Sequence, residues 1–159
     1  MSEIITSNCL YKDLNNKNLV IFDCSWTLSP GKKSTKKNFN TNHIKGSYFF
    51  DIDEISNKKS RFPHMLPKLD YFKKKMKDFN IHKKSKIIVY SNKDVLGPSR
   101  VWWMFKYFGF TNVYLLNGGL NKWIEENKPT TSEKAIKKVS TFNFTINDIW
   151  LTNKKIIFN

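Results

Sequence analysis

Leu19-Val-Ile-Phe-Asp23 is a continuous apolar run closed by an acid, and Lys86–Tyr90 and Asn112–Leu116 repeat the pattern. Runs this short and unalternating are the mark of strands buried on both faces, whose carboxyl ends emerge at the rim of a parallel sheet. Ser47-Tyr-Phe-Phe50, set between Gly46 and Asp51, reads as a fourth and shorter strand. Helical spacing supplies the cover. Between Pro67 and Asn80 the apolar residues Leu69, Phe72, Met76 and Phe79 recur at intervals of three and four, with lysines on the opposite side. A second helix opens at Pro98 and stops at Gly109, and its interior is almost wholly apolar or aromatic, which calls for burial. A third starts at Gly118-Gly119, runs through Trp123 and ends near Asn127, ahead of Pro129.

Strands alternating with helices predict an α/β domain, a doubly wound parallel sheet with helices on both faces. Ligands of such sheets gather at the carboxyl ends of the strands, here the loops after Asp23, Phe50, Tyr90 and Leu116. The loop Ser91–Gly97 lies where a strand hands over to a helix N-terminus, a place suited to anions. One domain over residues 1–129 accounts for these elements, and residues 130–159 read as a linker or the start of a further domain.

Charge narrows the picture less than its size suggests. The formal net charge is +15, yet all but Arg61 and Arg100 of the 28 basic residues are lysine, spread over every polar segment. Readers of nucleic acid favour clustered arginine forks, so no specific nucleic-acid partner is expected. Cys9 and Cys24 make no disulfide framework, which fits a reducing, cytoplasmic setting. With no apolar run near the roughly 20 residues of a membrane span and no signal-peptide pattern, a soluble, unprocessed chain with no membrane partner is expected. Three histidines and two cysteines in no recurrent spacing predict no metal, and no cofactor is expected. Ser91 lacks the Gly-x-Ser-x-Gly elbow of serine hydrolases, and Asn117-Gly-Gly has too few glycines for a phosphate cradle.

Phe22-Asp-Cys-Ser-Trp26, His43 to Asp53, His64-Met-Leu-Pro67, Pro98 to Phe105 and Leu116-Asn-Gly-Gly-Leu120 carry a family resemblance when taken in order. Over about residues 19–129 the chain resembles the N-terminal domain of the two-domain sulfurtransferases of the thiosulfate (rhodanese) and 3-mercaptopyruvate types. The resemblance implies a rhodanese-like sheet, a second rhodanese domain as partner, and sulfur transfer through a cysteine persulfide carried by that second domain. It also implies a small anionic sulfur donor in the cleft between the domains.

On this resemblance Ser91 holds the position where an active rhodanese domain keeps its nucleophile. A hydroxyl cannot replace the thiolate that persulfide chemistry requires, so the chain alone is expected to be inactive. The loop does not match the related dual-specificity phosphatases either, since their Cys-x5-Arg would need arginine at Gly97. A free-standing inactive domain, binding anions or proteins through the loop Ser91–Gly97, is the alternative.

The substrate-cleft candidates are His64, Arg61, Ser91, Asn92 and Lys93. The resemblance places His64 facing the cleft as a donor to an anion, while the loop Arg61–Pro67 taken alone allows a surface histidine. Arg100 sits in a helix first turn, an unfavourable place for a cation without a carboxylate. Asp23, Asp51 and Asp53 are the acids expected to pair with it, with substrate contact as the other reading. Cys24 is expected to be a small buried hydrophobe, His43 to order the turn before Gly46, His82 to be solvated, and Trp102, Trp103 and Trp123 to be core. Apolar residues of the tail, Ile149, Trp150, Leu151 and Ile156–Phe158, should lack cover in a chain cut from a longer fold and find it in a free-standing one. The donor, thiosulfate or 3-mercaptopyruvate, is not distinguished by these residues.

Overall fold

A computed structural model describes residues 3–27, 33–92 and 95–151. In chain order the elements are β1 (Ile4–Ile5), α1 (Ser7–Asp13), β2 (Leu19–Asp23), α2 (Lys33–Thr41), β3 (His43–Ile44), β4 (Ser47–Phe49), α3 (Ile52–Ile55), α4 (Leu69–Met76), β5 (Lys86–Tyr90), α5 (Leu96–Tyr107), β6 (Val113–Leu116), α6 (Gly119–Glu125) and β7 (Thr130–Thr131), followed by a single 3-10 turn, Asp148–Trp150. Five strands form one parallel sheet in the order β1-β6-β5-β2-β4, and β3 pairs antiparallel with β7 beside it.

The central strands β2 and β5 align residue by residue from Leu19 with Lys86 to Asp23 with Tyr90. Because successive side chains leave opposite faces, each strand feeds two cores. Val20, Phe22, Ile87 and Val89 join the side covered by α3, α4 and α5, where Phe50, Phe72, Phe105, Phe108 and Phe144 are buried. Ile21, Ile88 and Tyr90 join the other, with Leu10 of α1 and Leu120 and Trp123 of α6. Burial on both faces is why these strands read as unbroken apolar runs.

The main strands and helices stand where the apolar pattern places them, with shorter ends. Helix α4 stops at Met76, and α5 begins at Leu96 rather than at Pro98. Proline is still tolerated there, because first-turn N–H groups have no intrahelical acceptor. Trp123 is fully buried, but Trp102 and Trp103 are only partly so. They form the seat for Trp150, whose carbonyl accepts from Trp103 Nε1 at 2.7 Å and whose ring meets Trp102 edge-on at 5.4 Å.

Residues 138–150 run back over the first core. Ser140 N donates to the Lys77 carbonyl at 2.6 Å and Asn147 N to the Tyr107 carbonyl at 2.7 Å, and Phe144 is 2% exposed. Ile149 and Leu151 remain exposed, and Ile156–Phe158 lie outside the described residues. His43 is fully buried against the stacked ring of Phe39; its Nδ1 lies 2.6 Å from the Phe39 carbonyl and its Nε2 3.1 Å from that of Glu133. It fastens α2 to the chain beyond β7. His82 is half-buried rather than fully solvated. No helix among the described residues is long and apolar enough to cross a membrane.

Candidate functional site

The carboxyl ends of β2, β4 and β5 deliver three short segments to one rim of the sheet: Asp23–Thr27, Phe50–Asp53 and Ser91–Asn92. Ser91 follows β5 directly and is 4% exposed. Its carbonyl accepts from Leu120 N at 2.9 Å, and the next amide, Asn92 N, donates to Ser25 Oγ at 2.9 Å. The start of the turn is therefore held by its backbone from two sides. Ser91, Asn92, Val95 and Pro98 line one side of a cavity of about 300 Å³, with Asn117–Gly119 opposite. Two glycines make this packing possible. A side chain at Gly97 would strike the Cys24 carbonyl, and one at Gly119, whose φ is +57°, would strike that of Ser91.

His64 lies beyond the adjoining edge of the rim. Its backbone is left-handed, φ +55°, uncommon outside glycine. Its Nε2 lies 2.8 Å from Asp53 Oδ1, and its ring packs edge-on against Trp26 at 4.7 Å. A carboxylate that fixes one imidazole nitrogen sets the ring's orientation and leaves the other nitrogen to exchange a proton or donate to an anion. Arg61 is exposed, with its guanidinium over Phe62 at 4.9 Å, and it lines a shallow cavity with Asp53 and His64.

The expected pairing of Arg100 with Asp23, Asp51 or Asp53 is not what the structure contains among the described residues. The Arg100 guanidinium donates to the His64 carbonyl and lies 4.3 Å over Trp103. Burial lowers its pKa. The three acids are engaged elsewhere. Asp51 caps α3 by accepting from Glu54 N at 3.0 Å, Asp53 meets His64, and Asp23 accepts from Ser25 N at 2.8 Å. Asp23 is 2% exposed, and desolvation pushes its carboxyl above the usual range.

Of the residues singled out in the sequence, Ser91 and Asn92 stand on the rim, His64 and Arg61 lie beside Asp53 in a separate shallow cavity, and Lys93 lies outside the described residues. Sequence reasoning missed Ser25 and Trp26, which join the two halves of the site: Ser25 holds the Ser91 turn and Trp26 backs the His64 ring. Their signal was the loop after Asp23, a ligand-side loop that also belongs to the Phe22–Trp26 motif of the family resemblance. Cys24 is fully buried, 3.6 Å from the Phe22 carbonyl, and burial together with neighbouring Asp23 pushes its thiol far from ionisation, which makes it inert. Cys9 is exposed on α1. Among the described residues no group of three or more His, Cys, Asp or Glu could hold a metal ion.

A rhodanese-like domain model matches residues 6–126, which is most of the chain and includes the whole rim. The chain belongs to the rhodanese family. It is 32% identical over 150 residues to thiosulfate/3-mercaptopyruvate sulfurtransferase 1, mitochondrial, of Arabidopsis thaliana, a match covering 92% of this chain and 40% of that protein. It is 35% identical over 131 residues to the thiosulfate sulfurtransferase of Rattus norvegicus, covering 81% of this chain and 44% of the relative. Among solved structures, the 3-mercaptopyruvate sulfotransferase SseA from Escherichia coli matches with a TM-score of 0.88 at 26% identity, over 99% of this chain and 60% of that one. The chain therefore spans less than half the length of these two curated rhodanese relatives.

Proposed function

We propose that this rhodanese chain is the half of a two-domain sulfurtransferase that lacks the nucleophilic cysteine and supplies one wall of the cleft in which a small anionic donor is held. The observation that carries the reading is the β5–α5 turn. It starts with backbone groups held at Ser91 and Asn92 and leads into a helix, the position expected of a persulfide loop, but its first residue is Ser91. Serine has no thiolate to accept a sulfane atom, and the described cysteines are a buried protonated thiol and a residue of α1. The partial coverage of the relatives agrees with a partner half that brings the nucleophile. On this wall His64, oriented by Asp53, donates to the donor's negative charge, and exposed Arg61 adds charge at the mouth.

The test is sulfur transfer from thiosulfate or 3-mercaptopyruvate to cyanide. This chain alone should form no thiocyanate above the blank, and adding the cysteine-bearing half of a homologous enzyme should bring turnover that falls with His64→Ala. Turnover by the chain alone, or a persulfide found on Cys9 or Cys24 by mass spectrometry, would overturn the reading. The second reading, a free-standing binding module, draws support from Phe144 and Trp150, which find cover within this chain; the exposure of Ile149 and Leu151 speaks for the first. A module should bind thiosulfate unaided and gain nothing from the added half.

A further inference from the structure

We infer that Arg100 is a positioning residue: by taking the His64 carbonyl it holds the left-handed turn that brings the His64 imidazole onto Asp53. The inference rests on the cleft reading for its functional meaning, but its physical content is independent of any donor. Two consecutive carbonyls of this loop are held from outside. That of Met65 accepts from Asn57 N at 2.8 Å, and that of His64 accepts from Arg100. A histidine with φ +55° stays in that region only while its surroundings over-determine it. Freed at its carbonyl, the peptide after His64 can turn and carry the ring off the Asp53 carboxylate.

Arginine suits this task and lysine does not. The guanidinium carbon lies 4.3 Å over the Trp103 ring while one terminal nitrogen donates to the His64 carbonyl, two contacts that a planar, forked cation can make together, and no described carboxylate draws it away. Trp103 is itself fixed through the Trp150 carbonyl, so the clamp is anchored to α5 and to the C-terminal segment at once. Among the described residues this is not the expected ion pair with Asp23, Asp51 or Asp53. Arg100 acts on chemistry one residue removed, through the backbone of the loop.

The experiment follows the His64 Nε2 proton by nitrogen-15 NMR of the full chain, with Asp53→Asn as the reference for a broken bond. In the wild type the proton should be protected; in Arg100→Met it should exchange roughly tenfold faster or more, as when a local opening becomes easier, while the sheet amides stay protected. Arg100→Lys, closest in charge, should fail to restore protection, whereas added guanidinium ion should restore it in Arg100→Ala. A protected Nε2 proton in Arg100→Met overturns the inference. So does global unfolding of both the Met and Lys variants, which would make Arg100 a residue of the fold alone. Since no sulfur donor enters the measurement, failure of the cleft reading and failure of this inference are separately visible.

Discussion

Replacing Gly97 by alanine puts the docking of α5 on the end of β2 to a test of sign. Position 97 lies in the first turn of α5, and its φ is outside the left-handed range, so the backbone conformation itself accepts any residue. Helix propensity alone then favours alanine by up to about 1 kcal/mol. Packing opposes it. A methyl group there would sit 2.0 Å from the Cys24 carbonyl oxygen and 3.2 Å from its carbon, where carbon contacts below 3.0 Å are essentially never found. Neither side can yield cheaply. The end of β2 is clamped by Cys24 N donating to the Tyr90 carbonyl at 2.7 Å, and α5 is anchored by fully buried Val101, Met104 and Phe105. Overpacking of this kind costs about 1–3 kcal/mol, and a backbone oxygen as the obstacle places it toward the upper end. The net destabilisation is about 2 kcal/mol, which in a chain of this size lowers Tm by roughly 4–8 °C. Thermal melts followed by circular dichroism, backed by urea titration with an unchanged m-value, measure it. A Tm equal to or above that of the wild type would mean that propensity wins and that α5 is not seated on Cys24, refuting the geometry of the rim.

Three further outcomes are expected. Burial raises the Asp23 carboxyl, so the stability it contributes is fully present below the ordinary aspartate value of about 3.9 and is lost as pH rises through the folded value. Asp23→Asn should therefore flatten the fall of unfolding free energy above about pH 4, and identical pH profiles for variant and wild type would contradict it. Phe72, fully buried and stacked on Phe108 at 4.2 Å with Phe144 edge-on at 5.1 Å, should cost about 3–5 kcal/mol on truncation to alanine. A loss under about 1 kcal/mol in urea titration would show that this core collapses around the gap. Trp150→Ala should speed amide exchange at Thr145 and Asn147, which bond to the end of α5, while the β2 and β5 amides keep their protection; unchanged exchange would mean that Trp150 does not hold the segment down.

What the sequence disclosed follows from how much apolar surface each element buries. Strands β2, β5 and β6 are covered on both faces, and their runs of Leu, Val, Ile and Phe announce them. Helix α2, Lys33 to Thr41, has one buried apolar residue, Phe39, and its polar sequence resembles a loop. Helix α1 is held by Leu10 and the Thr6 cap, and β1 and β7 are two residues long, too short for any period to register. These elements exist because the sheet and its neighbours hold them. At the site, it was the family resemblance, not residue type, that singled out His64 and Ser91. The partner of Arg100 was missed because a carboxylate was sought, whereas the left-handed His64 turns a main-chain carbonyl toward the guanidinium, a feature of conformation rather than of composition.

The bond from Leu120 to the Ser91 carbonyl and the methyl-intolerant Gly119 above it have a consequence for divergence. They secure the chain at that point by main-chain atoms, so the seat keeps its shape whatever group the residue projects. Architecture and reactivity are uncoupled there. Two copies of one scaffold can then part ways, one reacting and one merely accommodating, through a swap as small as sulfur for oxygen and without disturbing the shape they share.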